Sequence, residues 1–264
     1  MIEYYKLYLP KSKREVKLEV SVPRYKNEII FDTLYFLDGQ NAFKDSHASF
    51  GRSIRATKAL GFAAKEMGKR ILGVAIYNSE TEMGRINEYS PFKIDEPANL
   101  EWNKHNPKIC EAFCEDLIHT IIPFIDTKYK TNNNPNNRFI YGSSLAATTA
   151  IYITLKYKDY FNVCGAFSTA SFLYKKMFND FVKKNMTSDK KIFLYVGKSE
   201  ASDNMYDKSL YLNTSLELHS LIKECGGKSK LVISQSGIHN EATWESQLLD
   251  FISYIYSDDI TYKN

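Results

Sequence analysis

Short apolar segments with strand character alternate along this chain with longer segments whose apolar residues recur at helical spacing. The predicted strands are 3–9, 15–22, 33–37, 72–77, 138–141, 163–167, 191–196 and 230–233. The predicted helices are 52–67, 108–128, 145–157, 171–184, 206–225 and 241–256. Strand–helix–strand units with short connections require a mostly parallel sheet covered by helices on both faces. The opening pair of strands adds an antiparallel edge, so the pattern predicts an α/β fold.

The length of the chain fits one domain of this class. An α/β domain often reaches about 250 residues as one unit, and the chain has 264. The polar run 132–137 leads straight into a predicted strand and is interpreted as a surface loop. Segment 78–107 has no clear period and is long for a loop, which is typical of lids and pocket walls. We therefore predict a single domain over 1–264, with 78–107 as a possible lid or pocket wall.

Charge and motif content argue against several classes of function. The net charge is only +4, and basic residues are not interleaved with aromatic ones, so no nucleic-acid partner is expected. No window approaches the ~18 uncharged apolar residues that a membrane helix needs, and the N-terminus does not resemble a signal peptide. The four cysteines have no zinc-ligand spacing. The sequence thus predicts a cytoplasmic protein without a metal or cofactor; its oligomeric state is left open.

The most informative segment is a strand that runs into Gly-Ser-Ser-Leu-Ala at 142–146 and then into an apolar helix. This is the arrangement of a nucleophile elbow, in which the residues two before and two after the serine must be small. Ser144 meets that requirement with Gly142 and Ala146, whereas Ser143 would place Tyr141 in the turn. A serine-rich N-terminal helix cap would have a similar sequence, so this segment alone does not distinguish a cap from a nucleophile elbow.

A nucleophilic serine needs a base, and the base needs an orienting carboxylate. Of the two histidines that follow Ser144, His219 lies inside a predicted amphipathic helix, where we expect it to be partly exposed. His239 lies in a loop after a strand, at the edge where ligand-facing groups collect, and is the predicted base. Glu200 follows strand 191–196 and is the predicted acid, with Asp203 as its competitor.

Two backbone N–H groups are predicted to stabilise a developing oxyanion. Leu145 follows the nucleophile, and its N–H lies at a helix N-terminus. The second donor should come from the loop after an early strand, where Gly39 permits an unusual backbone and the N–H of Gln40 can face the site. We expect Asp38 to brace this loop by accepting backbone N–H groups rather than to act as a catalytic acid.

Together these segments resemble the putative esterase branch of the α/β-hydrolase superfamily, which includes siderophore, feruloyl and acetyl esterases and mycolyltransferases. The matching pieces, in family order, are LDGQNAF at 37–43, RINEYSP at 85–91, GSSLA at 142–146, VGKSE at 196–200 and GIHNEATW at 237–244. The resemblance implies an α/β-hydrolase fold and a serine carboxylic-ester hydrolase that acts on a small-molecule ester. It also implies the site residues Ser144, Glu200 and His239, with Gln40 and Leu145 as backbone donors.

Some functional alternatives stay open at this stage. An acyltransferase would use the same three side chains, and a catalytically silent member would only bind a ligand in the same cleft. The resemblance does not identify the natural ester. Arg85 could contact a substrate at the pocket rim, but we favour an ion pair between Arg85 and Glu88 that holds segment 78–107 in place.

Overall fold

The computed structural model describes residues 1–24, 29–81, 83–95, 102–200 and 209–257. Its centre is a twisted sheet with the strand order β1-β2-β4-β3-β5-β6-β7-β8. The strands are β1 (Ile2–Leu9), β2 (Arg14–Ser21), β3 (Asp32–Phe36), β4 (Ile71–Ile76), β5 (Arg138–Ser143), β6 (Val163–Phe167), β7 (Lys191–Gly197) and β8 (Lys228–Ser234). Strand β2 pairs antiparallel with β1 and β4, and the other neighbours are parallel. The predicted mostly parallel sheet with an antiparallel edge is confirmed.

Helices cover both faces of this sheet. They are α1 (Ala56–Glu66), α2 (Gly84–Tyr89), α3 (Pro107–Asp116), α4 (Ile122–Lys128), α5 (Leu145–Lys156), α6 (Lys175–Asn185), α7 (Leu210–Glu224), α8 (Glu241–Glu245) and α9 (Leu248–Ile255). Helices α3 to α7 bury apolar residues on one face, and α1, α8 and α9 do so on the other. Strands β4 to β7 are buried along their whole length, as a sheet covered on both faces requires.

Two of the predicted helices are interrupted. The predicted helix 108–128 contains a π-helical turn, Leu117–Ile121, between α3 and α4. Pro123 follows that turn and has no N–H to donate, so the regular i to i−4 pattern cannot continue through it. The predicted helix 241–256 is split because α8 buries Trp244 beside the candidate site, whereas α9 buries Leu248 on the sheet.

The parallel strands end at one edge of the sheet, and this edge positions the site. In open α/β sheets, ligand-binding groups collect beyond the carboxyl ends of the strands. Strands β3, β5, β6, β7 and β8 lead there into the segments that hold Asp38, Ser144, Ser168, Glu200 and His239. In the described part of the chain, no helix is both long and apolar enough to cross a lipid bilayer.

Candidate active site

Ser144 occupies the sharp turn between β5 and α5. Its φ is +59°, a value that a non-glycine residue rarely adopts, and its N–H donates to the carbonyl of Phe167 at 2.9 Å. A Cβ atom on Gly142 would overlap the carbonyl group of Ala146, so the turn can close only over a glycine. The small residues that the sequence predicts on either side of Ser144 are therefore packed against each other.

We expect Gly142→Ala to lower the free energy of unfolding by about 3 kcal/mol or more, because the added methyl group meets backbone atoms that cannot move aside. Urea unfolding measures this. Gly61→Ala is the matched control, since Gly61 is an exposed residue of α1 with open space around it, and alanine there should stabilise the helix by about 1 kcal/mol. A Gly142→Ala protein as stable as the wild type would contradict the packing described for this turn.

His239 and Glu200 are hydrogen-bonded partners. Nδ1 of His239 lies 3.1 Å from Oε2 of Glu200, and the two side chains are 12% and 0% exposed. A neutral imidazole next to a carboxylate acceptor carries its proton on the bonded nitrogen, so Nε2 is left with a lone pair. The arrangement fixes the tautomer that a general base needs.

The buried carboxylate of Glu200 is held by further donors. Its Oε1 accepts from the N–H of Gly197 at 2.7 Å and from the hydroxyl of Ser168 at 2.8 Å. The indole N–H of Trp244 donates to the same Ser168 hydroxyl at 2.9 Å. These bonds offset the cost of burying a carboxylate and keep it directed at His239.

Two aromatic rings enclose the imidazole of His239. The ring of Tyr211 lies 4.6 Å from it, centroid to centroid, and that of Trp244 lies 5.0 Å away and nearly perpendicular to it. Sequence reasoning missed both rings and Ser168. The position of Ser168, directly after β6 at the carboxyl edge of the sheet, was the available signal. The contacts of Trp244 and Tyr211 depend on tertiary packing, for which the sequence carries no signal.

Four of the predicted site residues line one cavity of about 430 Å³: Gln40, Ser144, Leu145 and His239. Glu200 lies behind the imidazole. The hydrogen bonds within the described ranges include none between the hydroxyl of Ser144 and the ring of His239. Catalytic hydrogen bonds are often long in an empty site and tighten when substrate binds. Arg85 and Trp102, from segment 78–107, also line the cavity; residues 82 and 96–101 of that segment lie outside the described residues.

The predicted oxyanion donors are positioned by two backbone turns. Gln40 lies in the short 3₁₀ turn Gly39–Asn41, and Leu145 is the first residue of α5. Over the described ranges, neither amide N–H donates a hydrogen bond to a protein acceptor. A Cβ atom on Gly39 would overlap the backbone of Ile76, so this turn also requires a glycine. Both residues line the cavity, and neither N–H group is used by a hydrogen bond of the described fold.

The predicted ion pair between Arg85 and Glu88 is wrong. Arg85 donates to Asp38, with Nε at 3.0 Å from each carboxylate oxygen and Nη2 at 2.7 Å from Oδ2. Glu88 pairs instead with Arg14 of β2, whose Nε lies 2.5 Å from Oε1 of Glu88 and whose Nη2 lies 3.0 Å from Oε2. Asp38 and Glu88 are both buried, and each is paired with a different arginine, which offsets part of the cost of burying its charge. Burial raises the pKa of Glu88 even beside Arg14.

Asp38 braces its loop through side chains, which corrects the expectation that it accepts backbone N–H groups. Besides Arg85, it accepts from Nδ2 of Asn78 at 2.6 Å. Its own N–H donates to the hydroxyl of Tyr89 at 3.0 Å. Because Asp38 has a φ of +52° and directly precedes the turn with Gln40, these bonds fix the direction of the predicted oxyanion N–H.

The competing base and acid candidates, His219 and Asp203, are not among the described residues of the site. His219 is partly exposed on α7, as expected, and its Nδ1 lies 2.9 Å from the hydroxyl of Ser229. Asp203 lies outside the described residues. The described side chains contain no group of three His, Cys, Asp or Glu residues that could hold a metal ion.

Sequence and structure comparisons relate this chain to known proteins. Residues 10–254 match the model of a family described as "Putative esterase". An uncharacterized protein of Bacillus subtilis, YbbA, is 19% identical over 147 residues; the match covers 54% of this chain and 59% of that protein's length.

Among the solved structures that are similar over nearly the whole chain, two illustrate the match. An IroE-like serine hydrolase from Shewanella oneidensis has a TM-score of 0.80 at 15% sequence identity. The match covers 98% of this chain and 81% of the Shewanella chain. A ferulic acid esterase from Anaeromyces mucronatus, solved in complex with ferulic acid, has a TM-score of 0.69 at 17% sequence identity. The match covers 96% of this chain and 89% of the Anaeromyces chain. The fold is that of the α/β-hydrolases, and the chain belongs to the putative esterase family.

Proposed function

We propose that this protein hydrolyses carboxylic esters through an acyl-enzyme intermediate on Ser144. The observation that carries the proposal is the hydrogen bond between His239 and the buried Glu200, at the wall of a cavity that Ser144 also lines. Membership in an esterase family supports the reaction class.

In the proposed mechanism, Nε2 of His239 takes the hydroxyl proton as Ser144 Oγ attacks the ester carbonyl carbon. The tetrahedral oxyanion accepts hydrogen bonds from the N–H groups of Gln40 and Leu145. His239 then returns the proton to the leaving alcohol, and the acyl group stays on Ser144. The same imidazole then deprotonates a water molecule that attacks the acyl carbon, and it returns that proton to Ser144 Oγ as the bond between Oγ and the acyl carbon breaks and the acid leaves. Glu200 stabilises the charged ring in both steps.

The cavity wall favours an ester with an apolar or aromatic acyl group. Phe172, Leu173, Trp102 and Tyr211 contribute to this wall, next to Ser144. Large apolar side chains bind a ligand mainly through the surface that they remove from water. The name of the Anaeromyces relative, a ferulic acid esterase, is consistent with an aromatic acid at this position.

Rapid-mixing kinetics with p-nitrophenyl acetate test the proposal. We expect a burst of p-nitrophenol equal to the enzyme concentration, or steady turnover, together with acetylated Ser144 in peptides from an acid-quenched sample. Product analysis with added glycerol separates hydrolysis from acyl transfer, because a transferase would form glyceryl acetate in preference to acetate. A folded protein that neither releases p-nitrophenol nor carries an acetyl group would instead be a ligand-binding member of the family.

A further inference from the structure

Glu241 is a buried carboxylate of the candidate active site that the proposed mechanism does not use. It is the first residue of α8, two positions after His239, and it lines the same cavity as Ser144. We propose that Glu241 is a positioning residue, which holds the turn Gly39–Asn41, and with it the N–H of Gln40, in place for the oxyanion. We call this turn the oxyanion turn. Its role in catalysis rests on the proposed function, whereas the effect of Glu241 on the turn does not.

A hydrogen bond between two side chains joins α8 to the oxyanion turn. Nδ2 of Asn41 donates to Oε1 of Glu241 at 3.1 Å. The orientation of this amide is fixed, because Oδ1 of Asn41 accepts the N–H of Ser49 at 2.9 Å. Asn41 is also the last residue of the turn, and its own N–H donates to the carbonyl of Asp38 at 2.9 Å. Its Nδ2 group therefore faces α8 and finds its acceptor there.

The environment of Glu241 is that of a functional group rather than of a surface charge. The residue is only 6% exposed, and this burial raises the pKa of its carboxyl group. The charge of Asp38 raises that pKa further, whereas interactions with His239 and Arg85 lower it. A buried carboxylate with a shifted pKa at the wall of a cavity is typical of functional sites. We therefore interpret Glu241 as part of the site.

Helix α8 also contacts the predicted base. The ring of Trp244 lies 5.0 Å from that of His239, and its indole N–H donates to the hydroxyl of Ser168 at 2.9 Å. One short helix thus reaches the base through Trp244 and the oxyanion turn through Glu241. The base and the oxyanion donor must act on one ester group at the same time, so a fixed link between them keeps the reacting geometry.

The oxyanion turn is restrained at its two ends by different groups. At its start, Asp38 has a φ of +52° and is paired with Arg85 at 2.7 Å. At its end, Asn41 is bonded to Glu241. When the second restraint is lost, the first remains, but the N–H of Gln40 is no longer held in one direction. Weaker stabilisation of the oxyanion lowers the rate of the chemical step without weakening the binding of the ester.

Steady-state kinetics with p-nitrophenyl acetate test the role in catalysis. Glu241→Leu, which has no acceptor, should lower kcat and kcat/KM together by about 10- to 100-fold. Glu241→Gln keeps an oxygen for Nδ2 of Asn41, so it should recover kcat to within about threefold of the wild type. Glu245→Gln is the matched control and should keep the wild-type kcat. Glu245 is on the same helix but does not line the active-site cavity, and it pairs with Arg52 and Lys58.

Hydrogen exchange tests the effect on the turn without any substrate. The N–H groups of Asn41 and Ala42 each donate to a carbonyl three residues earlier. Their exchange should be about tenfold faster in Glu241→Leu and close to that of the wild type in Glu241→Gln and Glu245→Gln. Exchange within β5 is the reference, because a general loss of stability would accelerate it as well.

The two side chains should act through one bond. Once Asn41→Ala has removed the donor, adding Glu241→Leu should cause little further loss of kcat. Multiplied losses in the double variant, normal kcat in Glu241→Leu, or equal losses in Glu241→Leu and Glu241→Gln would overturn the positioning role. If the wild type does not cleave the ester, the proposed function fails. The exchange rates then still decide whether Glu241 holds the turn, and unchanged exchange in Glu241→Leu would show that it does not.

Discussion

Replacing Ser144 by alanine is expected to lower kcat for p-nitrophenyl acetate by roughly four to six orders of magnitude, because no other group in the proposed mechanism can form the acyl-enzyme. The fold should persist, since the serine side chain makes no hydrogen bond within the described residues and alanine is small enough for the turn. Steady-state kinetics, together with the urea unfolding midpoint, measure both effects.

Ser143→Ala is the control for this substitution. Ser143 is adjacent to Ser144 but lies on β5, and the elbow geometry does not select it as the nucleophile. Its alanine variant should retain most of the wild-type kcat. Loss of activity in Ser143→Ala with normal turnover in Ser144→Ala would reverse the assignment of the nucleophile.

Replacing Glu200 by glutamine is expected to lower kcat by about three to four orders of magnitude. The amide N–H2 of glutamine can donate to Nδ1 of His239, which places the imidazole proton on Nε2, where it blocks proton transfer from Ser144. The donors of Gly197 and Ser168 both bond Oε1, which stays an oxygen when the amide nitrogen faces His239, so the fold around the site should persist. Comparison of kcat/KM for the wild type and the variant measures the effect.

Asp203→Asn is the matched control, because Asp203 is the competing acid in the sequence. The proposed assignment predicts near-normal kcat/KM for Asp203→Asn. A larger loss in Asp203→Asn than in Glu200→Gln would transfer the role of the acid to Asp203.

The sequence predicts the parts of this molecule that depend on local pattern. Apolar runs and helical spacing locate the strands and most helices, because burial on a two-sided sheet imposes those periods. The candidate residues Ser144, Glu200 and His239 follow from the same logic, since each lies in the segment that follows a parallel strand and such strands end at one edge. The structure adds the hydrogen bond from His239 to Glu200, which spacing alone cannot give.

The sequence does not predict which of several possible partners a charged or polar side chain contacts in the folded protein. Arg85 has Glu88 three residues away on the same helix, yet it pairs with Asp38, because the fold buries that carboxylate and brings Arg14 to Glu88. Likewise, Trp244 reaches Ser168 only because the fold brings α8 to the residue that follows β6.

The rate of covalent labelling by a fluorophosphonate probe, mapped by peptide mass spectrometry, tests the central claim most directly. The claim is that Ser144, His239 and Glu200 act as one unit. It predicts a single adduct on Ser144 in the wild type and a labelling rate that falls by orders of magnitude in His239→Ala, whose base is gone. An adduct on another residue, or equal labelling of Ser144 with and without the imidazole, would contradict it.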